Sequence, residues 1–316
     1  MKSKQMVAVV FGGKSSEREV SLKSGAKVVE HIPTNKYDVL QYDPLTDLPK
    51  LVNDILDKKV DIVFPVLHGK FGEDGTIQGL CEILDVPYVG PGVKTSAICM
   101  DKIATKRMIM TQGTLTPEFE VMYKGDEMDL RNIELPCVIK PGNAGSSVGI
   151  TIPESFAELK NGIKKAFDES DEILVENFID GREFTVGVIG THNNIQVLPA
   201  TEIIPNVSKF YDFAAKYDEG GSTHVCPADL DEETTETLQR LGERAFRVLG
   251  ASGMMRVDFM YDESEKLFYF IEANTIPGMT NTSLLPEAAA AAGIEFSQLL
   301  DKLIQFGFER YQEEQV

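Results

Sequence analysis

The stretch Arg256–Pro286, RVDFMYDESEKLFYFIEANTIPGMTNTSLLP, decides how the rest of this chain is read. RVDFMY alternates as one strand, DESEK is a polar turn, and LFYFIEAN is a second strand rich in aromatic and branched residues, so the whole predicts a β-hairpin. Antiparallel pairing would bring Asp258 near Glu272 and Asn274, with Arg256 on the same face as Asp258. Two adjacent carboxylates repel unless a cation neutralises them. Hard oxygen donors completed by substrate phosphates suit Mg²⁺. A solvated hairpin with scattered charges is the competing reading of Asp258 alone. Against it, Glu272 and Asn274 stand inside an otherwise apolar strand that runs directly into a Pro-Gly turn.

Moving upstream, CVIKPGNAGSSVGI ends a strand on Lys140 and continues in a Gly/Ser loop. Glycine allows close backbone approach, so such a loop can wrap phosphate oxygens while the lysine supplies charge. At the N-terminus, the apolar run Gln5–Phe11 leads into GGKSSEREVSLKSG, and strands Tyr37–Tyr42 and Asp61–Val66 alternate with helices Glu19–Ile32 and Leu48–Leu56. This pattern predicts a doubly wound α/β unit. Its ligand loops lie at the C-terminal edge of the sheet. Glu17 is read either as a helix N-terminal acid or as a carboxylate offered to a substrate ammonium. His68, in VLHGKFGEDGTIQG, is either a structural hydrogen-bonder or part of the site. The glycine-proline junction Tyr88–Lys94 marks a domain boundary near Gly90. SAICMDKIATKRMIM reads as one helix whose basic face carries Lys102, Lys106 and Arg107, a face that is ordinarily just solvated. Helices Glu154–Phe167 and Asp231–Leu249 and strand Glu172–Phe178 follow, and the chain closes with helices Ser283–Ala292 and Ser297–Tyr311. The stripe Leu299, Leu303, Phe306 is read as core.

Composition bounds these readings. With 316 residues the chain can build two or three domains, and 42% hydrophobic with 26% charged residues is ordinary for a soluble enzyme. A net charge of −19 argues against nucleic acid or an anionic membrane as main partner. No signal peptide or membrane-length apolar run is read in it. Cys81, Cys99, Cys137 and Cys226 form no CxxC pair, which favours buried thiols in a reducing cytoplasm over disulfides or zinc. GxGxxG and Walker spacings are missing, so a dinucleotide or P-loop reading is weak, and a Rossmann oxidoreductase, which also lacks a hydride-handling site, fails.

The hairpin resembles the metal-binding end of the ATP-grasp ligases, and GGKSSERE with HGKFGEDGTIQG resembles the N-terminal domain of the D-alanine–D-alanine ligase family. The resemblance runs from Val7 to about Phe306. It implies an α/β, ATP-grasp fold with an N-terminal Rossmann-like domain at 1–90 that binds substrate, a central lid domain at 91–184, and a C-terminal domain at 185–316 with the metal and acyl-transfer site. The implied reaction is ATP-dependent ligation of two D-alanines through a D-alanyl phosphate, for peptidoglycan precursor synthesis. Relatives using D-lactate, D-serine or another amino acid are the nearest alternative. Carried onto this sequence, Asp258, Glu272 and Asn274 would hold two Mg²⁺ or Mn²⁺, and Lys102, Lys140, Ser146, Lys216 and Asn274 would contact ATP phosphates. Glu176 and the backbone to Phe178 would meet the adenine edge and Glu183 the ribose hydroxyls, with Phe210 and Tyr211 completing the nucleotide site. Glu17 would bind the first D-alanine ammonium, Ser283 and the Leu284 amide the second carboxylate, and Arg256 with the Gly278 N–H the oxyanion. Tyr217, beside Lys216 in a closing loop, would face Ser146, and its presence favours D-alanine over D-lactate. A cytoplasmic homodimer is the assembly and location implied.

Overall fold

The computed structural model describes residues 4–127, 130–143, 149–206, 221–280 and 282–315. The N-terminal unit alternates as expected: strand β1 (Gln5–Phe11), helix α1 (Arg18–His31), strand β2 (Tyr37–Tyr42), helix α2 (Leu48–Leu56), strand β3 (Ile62–Val66) and helix α3 (Thr76–Ile83). The strands pair in parallel in the order β2-β1-β3. The centres of β1 and β3 are buried, which is why they read as continuous apolar runs. The loops after both strands emerge at one sheet edge, where side chains stitch them together. Ser21 Oγ accepts from Gly12 N–H at 2.7 Å and donates to the Val66 carbonyl, and Ser15 Oγ donates to the His68 carbonyl at 2.6 Å.

The expected single helix SAICMDKIATKRMIM is two, α4 (Val93–Met100) and α5 (Lys102–Met110). Asp101 between them is extended (φ −93°, ψ 104°), and its carboxylate accepts from the Ala104 N–H. The apolar period runs through both helices. The local capping preference of aspartate restarts the helix, placing Lys102 at the first turn of α5, where its N–H donates to the Gly142 carbonyl at 2.8 Å.

Strands β4 (Phe119–Tyr123), β5 (Cys137–Pro141) and β6 (Glu172–Asn177) form an antiparallel sheet in the order β4-β6-β5, backed by α6 (Phe156–Glu169). A larger sheet follows from β7 (Arg182–Thr191), β8 (Asn194–Val197), β9 (Thr201–Pro205), β10 (Ser222–Val225), β11 (Gly253–Asp262) and β12 (Leu267–Asn274). Its path is β10-β9-β7-β11-β12, with β8 beside β7. The division expected after residue 184 falls inside β7, which pairs with β11 from Arg182 onward. Helix α7 (Glu232–Val248) packs on β7 and β11, while α8 (Leu284–Ala291) and α9 (Phe296–Glu314) join the large sheet to the N-terminal unit. Leu299, Leu303 and Phe306 of α9 are buried, as their spacing required. No helix among the described residues is long and apolar enough to cross a membrane.

The hairpin is β11–β12, and one irregularity in it positions the site. Arg256 pairs with Asn274 and Asp258 with Glu272, but Phe259 pairs with Phe270, leaving Ile271 as an extra residue. Phe259 and Phe270 are fully buried against α7, with ring centroids 6.0 Å apart at an interplanar angle of 83°. Counting by twos from Phe268 and Phe270 would bury Glu272 in that same core. The bulge at Ile271 reverses the parity and turns Glu272 to the opposite face, beside Asp258. Behind it, the Phe270 backbone bonds away from the sheet, donating to the Leu115 carbonyl at 2.8 Å and accepting from Thr116 Oγ1 at 3.0 Å.

Candidate active site

Between the two antiparallel sheets lies a cavity of about 320 Å³. Val138, Ile150 and Ile152 line it from the central sheet and Ile203, Met260 and Ile271 from the large sheet. Lys140, Glu176, Glu183, Asp258 and Glu272 supply its polar margin, with Phe178 beside them. An apolar slot with a few convergent polar groups suits a flat heterocycle carrying a charged tail.

At the hairpin end, Asp258 is 2% exposed. It accepts from Arg256 Nε at 3.0 Å, from Arg256 Nη2 at 2.9 Å, and from Thr185 Oγ1. Lys102 Nζ stands 3.7 Å from Glu272 Oε2. Register places Arg256, Asp258, Glu272 and Asn274 on one face in two successive cross-strand pairs. Among the described residues no three or more His, Cys, Asp and Glu side chains gather as a metal cage. Two carboxylates and an amide fit a hard divalent cation whose remaining positions belong to water and phosphate oxygens. They do not fit zinc, which prefers nitrogen and sulfur ligands.

Glu176 is 1% exposed and lies between two lysines. Lys140 Nζ is 3.0 Å from its Oε2 and Lys106 Nζ 3.3 Å from its Oε1. The solvated basic face expected of α5 is therefore corrected: Lys106 is fully buried, while Arg107 remains exposed. Burial pushes the Lys106 ammonium down to about 8 against the opposing pull of Glu176. Burial works against ionisation of Glu176 as well, yet Lys106 and Lys140 together hold its carboxyl below the usual range.

At the other end of the hairpin, the N-terminal loops meet the turn after β12. Glu17 occupies the N-cap position of α1 without accepting a cap hydrogen bond, and it is 5% exposed. The carboxylate lies against Gly69, where a Cβ would sit 2.8 Å from Glu17 Oε2. Gly69 N–H donates to Glu73 Oε2 at 2.7 Å. Burial and the neighbouring charge of Glu17 raise the Glu73 carboxyl to about 8. Met279 N–H donates to Ser24 Oγ at 3.2 Å, and the buried His68 ring lies beside the backbone of Ile276. Both therefore pin the turn to the N-terminal unit. Ser283 caps α8 in position, its Oγ accepting from Thr280 N–H at 2.9 Å, and a Cβ on Gly278 would come within 2.7 Å of that oxygen. The Leu284 N–H belongs to the first turn of α8, where backbone donors point outward at an anion.

Burial pushes the His68 imidazole down to about 4, and the charge of Arg256 adds to this. The ring is neutral at pH 7. Its contribution to stability is full above about 6.5, the unfolded value, and is lost as pH falls through about 4, because the unfolded state takes up the proton first. His68→Gln is expected to remove on the order of 3 kcal/mol of the acid-side slope. Urea midpoints of both proteins at pH 7 and pH 4.5 check this, and parallel pH profiles would contradict it.

Thus Glu17, His68, Gly278, Ser283 and Leu284 gather at one end of the hairpin, and Lys102, Arg256, Asp258, Glu272 and Asn274 along it. Lys140, Glu176, Phe178 and Glu183 border the slot. The readings made of Ser146, Phe210, Tyr211, Lys216 and Tyr217 lie outside the described residues. Two contributors were not anticipated. Thr185 shares the strand of Glu183 and bonds Asp258, and nothing in REFTVG marks it. Lys106 is spaced one helical turn from Lys102, but only burial separates it from a surface lysine.

The model of the D-ala D-ala ligase C-terminus matches residues 110–305, and that of the N-terminus matches residues 6–48 and 45–91. The chain is similar to the D-alanine--D-alanine ligase of Citrifermentans bemidjiense, 42% identical over 302 residues, covering 96% of each chain. Among solved structures it is similar to the D-alanine--D-alanine ligase of Bacillus anthracis complexed with ATP (TM-score 0.85, 30% identity, 98% of this chain and 99% of the other). It is also similar to the VanG D-Ala:D-Ser ligase of Enterococcus faecalis (TM-score 0.82, 34% identity, 96% and 100%).

Proposed function

The chain belongs to the D-alanine–D-alanine ligase family, and from that premise we propose that it joins two D-alanines with ATP on an ATP-grasp framework to give D-alanyl-D-alanine, ADP and phosphate. The observation that carries the reading is the hairpin. A carboxylate pair with its arginine opens onto the slot between the sheets, and the next turn carries Gly278 and Ser283 at a helix N-terminus. One sheet to each part of the chain supports a division into substrate-binding, lid and acyl-transfer domains.

In the first half-reaction the carboxylate of one D-alanine attacks the γ-phosphorus, releasing ADP and forming D-alanyl phosphate. Phosphoryl transfer needs positioning and charge neutralisation more than covalent help. The base packs in the apolar slot by Glu176 and the backbone to Phe178, Glu183 takes the ribose, and Lys102 and Lys140 face the phosphates. Asp258, Glu272 and Asn274 would hold two Mg²⁺ or Mn²⁺, which when bound offset the charge of the phosphate oxygens. In the second half-reaction the amine of the other D-alanine attacks the acyl carbon, and phosphate leaves. Glu17 holds the first ammonium, Ser283 and the Leu284 N–H hold the second carboxylate, and Arg256 with the Gly278 N–H meets the oxyanion. His68, being neutral, is assigned to holding the Ile276 turn rather than to supplying charge. Ser146, Lys216 and Tyr217 are proposed to close over the site, excluding water from the acyl phosphate. A homodimer is the assembly proposed. Three buried free thiols support a cytoplasmic setting.

The test is direct. With ATP and Mg²⁺, D-alanine is expected to stimulate phosphate release and yield D-Ala-D-Ala, while L-alanine gives almost none. D-serine and D-lactate, added as the second substrate, measure strictness. Phosphate release that ignores D-alanine would sink the substrate assignment.

A further inference from the structure

Glu176 is flanked by two cations, and only one of them can reach the nucleotide. Lys140 and Glu176 both line the slot. Lys106 stands behind Glu176, fully buried, with Nζ also donating to Thr116 Oγ1 and lying 5.7 Å from the Phe119 ring centroid. Fully buried lysines are rare and costly to desolvate. This one makes its ion pair 3.3 Å from Glu176 Oε1, on the oxygen opposite that taken by Lys140 at 3.0 Å.

Charge counting gives the arrangement a purpose. Lys140 and Glu176 alone would be a closed, neutral pair that an incoming polyphosphate would have to break. With Lys106 present the buried triad carries a net charge of plus one, and the exposed end of that charge is Lys140. We propose that Lys106 is a positioning residue for the nucleotide: by neutralising Glu176 from behind, it leaves the positive charge of Lys140 available to the phosphates. The inference rests on the reading of this slot as the ATP site. A second contact fits the same role. Thr116, which Lys106 bonds, bonds in turn the Phe270 carbonyl next to the bulge that aims Glu272, so one ammonium braces both margins of the slot.

The experiment measures the affinities of adenosine, ADP and ATP, with Mg²⁺ and without D-alanine. The proteins are wild type, Lys106→Met, Glu176→Gln and the double variant. In Lys106→Met, Glu176 is left to hold Lys140 as a closed neutral pair, which is expected to weaken ATP and ADP on the order of tenfold or more and adenosine by less than about threefold. In the Glu176→Gln background the same Lys106 substitution is expected to change ATP affinity by less than about threefold, because no carboxylate remains to capture Lys140. Equal losses for adenosine and ATP, or the same ATP penalty in both backgrounds, overturn the proposal and leave Lys106 as a packing residue. If Lys106→Met does not fold, Lys106→Gln and the comparison of the double variant with Glu176→Gln are read in its place. A wild-type protein that binds no ATP overturns the reading of the slot itself, a result distinct from additive penalties in a protein that binds ATP normally.

Discussion

Glu272→Gln is expected to lower kcat on the order of a hundredfold to a thousandfold, the range seen when one electrostatic contact to a reacting group is lost, with little change in the fold. Gln keeps the size of the side chain and its place across from Asp258, and it removes a charge. In the wild type two carboxylates share one sheet face, a repulsion that Arg256 and Lys102 offset in part. The proposed metal role gives that charge a use in turnover. A carboxylate that merely paired with Lys102, at 3.7 Å and with Glu272 23% exposed, would contribute at most about 1 kcal/mol and would be missed in stability rather than in turnover. The measurement is kcat at saturating ATP and D-alanine over a range of Mg²⁺ concentrations, with denaturation midpoints alongside. A near-normal kcat at all Mg²⁺ concentrations would remove Glu272 from the metal set.

Arg256→Lys is expected to cost about as much, roughly 3–4 kcal/mol of transition-state stabilisation by analogy with a lost oxyanion donor, seen as a hundredfold or greater fall in kcat. The charge is conserved, so the loss isolates geometry. The guanidinium holds both oxygens of Asp258 through Nε and Nη2, with the two side chains 12% and 3% exposed. An ammonium is a point charge and cannot make that fork while also meeting a developing oxyanion. Asp258 would keep its bond from Thr185 and lose its defined orientation. Wild-type kcat in Arg256→Lys would show that the fork is structural and would return the oxyanion to the Gly278 N–H alone.

How far the sequence could be read differs along the chain for physical reasons. The N-terminal α/β unit was legible because its strands are buried runs separated by helices of different period, and β2 and α2 fall on the expected residues. Antiparallel pairing correctly put Glu272 beside Asp258, although strict alternation from Phe268 and Phe270 points it into the core. A one-residue bulge has no reliable local signature, and only the register shows it. The break at Asp101 was invisible to hydrophobic period because period does not see a cap. Lys106 shows a deeper limit. One helix presents Lys102 partly exposed, Lys106 fully buried and Arg107 to solvent, and what separates them is a carboxylate, Glu176, seventy residues further on. Glu17, read from sequence as either a helix N-terminal acid or a substrate carboxylate, sits at the N-cap position of α1 without a side-chain cap hydrogen bond.

The central claim is that a D-alanine carboxylate oxygen attacks phosphorus before the peptide bond forms. Oxygen-18 in that carboxylate tests it. The first D-alanine contributes one carboxylate oxygen to the acyl phosphate, and the amine of the second expels that oxygen with the phosphate. With doubly labelled D-alanine, ATP and Mg²⁺, each released phosphate is expected to carry one oxygen-18 atom, and the new peptide carbonyl retains the other. Unlabelled phosphate released in step with D-Ala-D-Ala would contradict the account, because ATP would then be hydrolysed by water rather than used to activate the carboxylate.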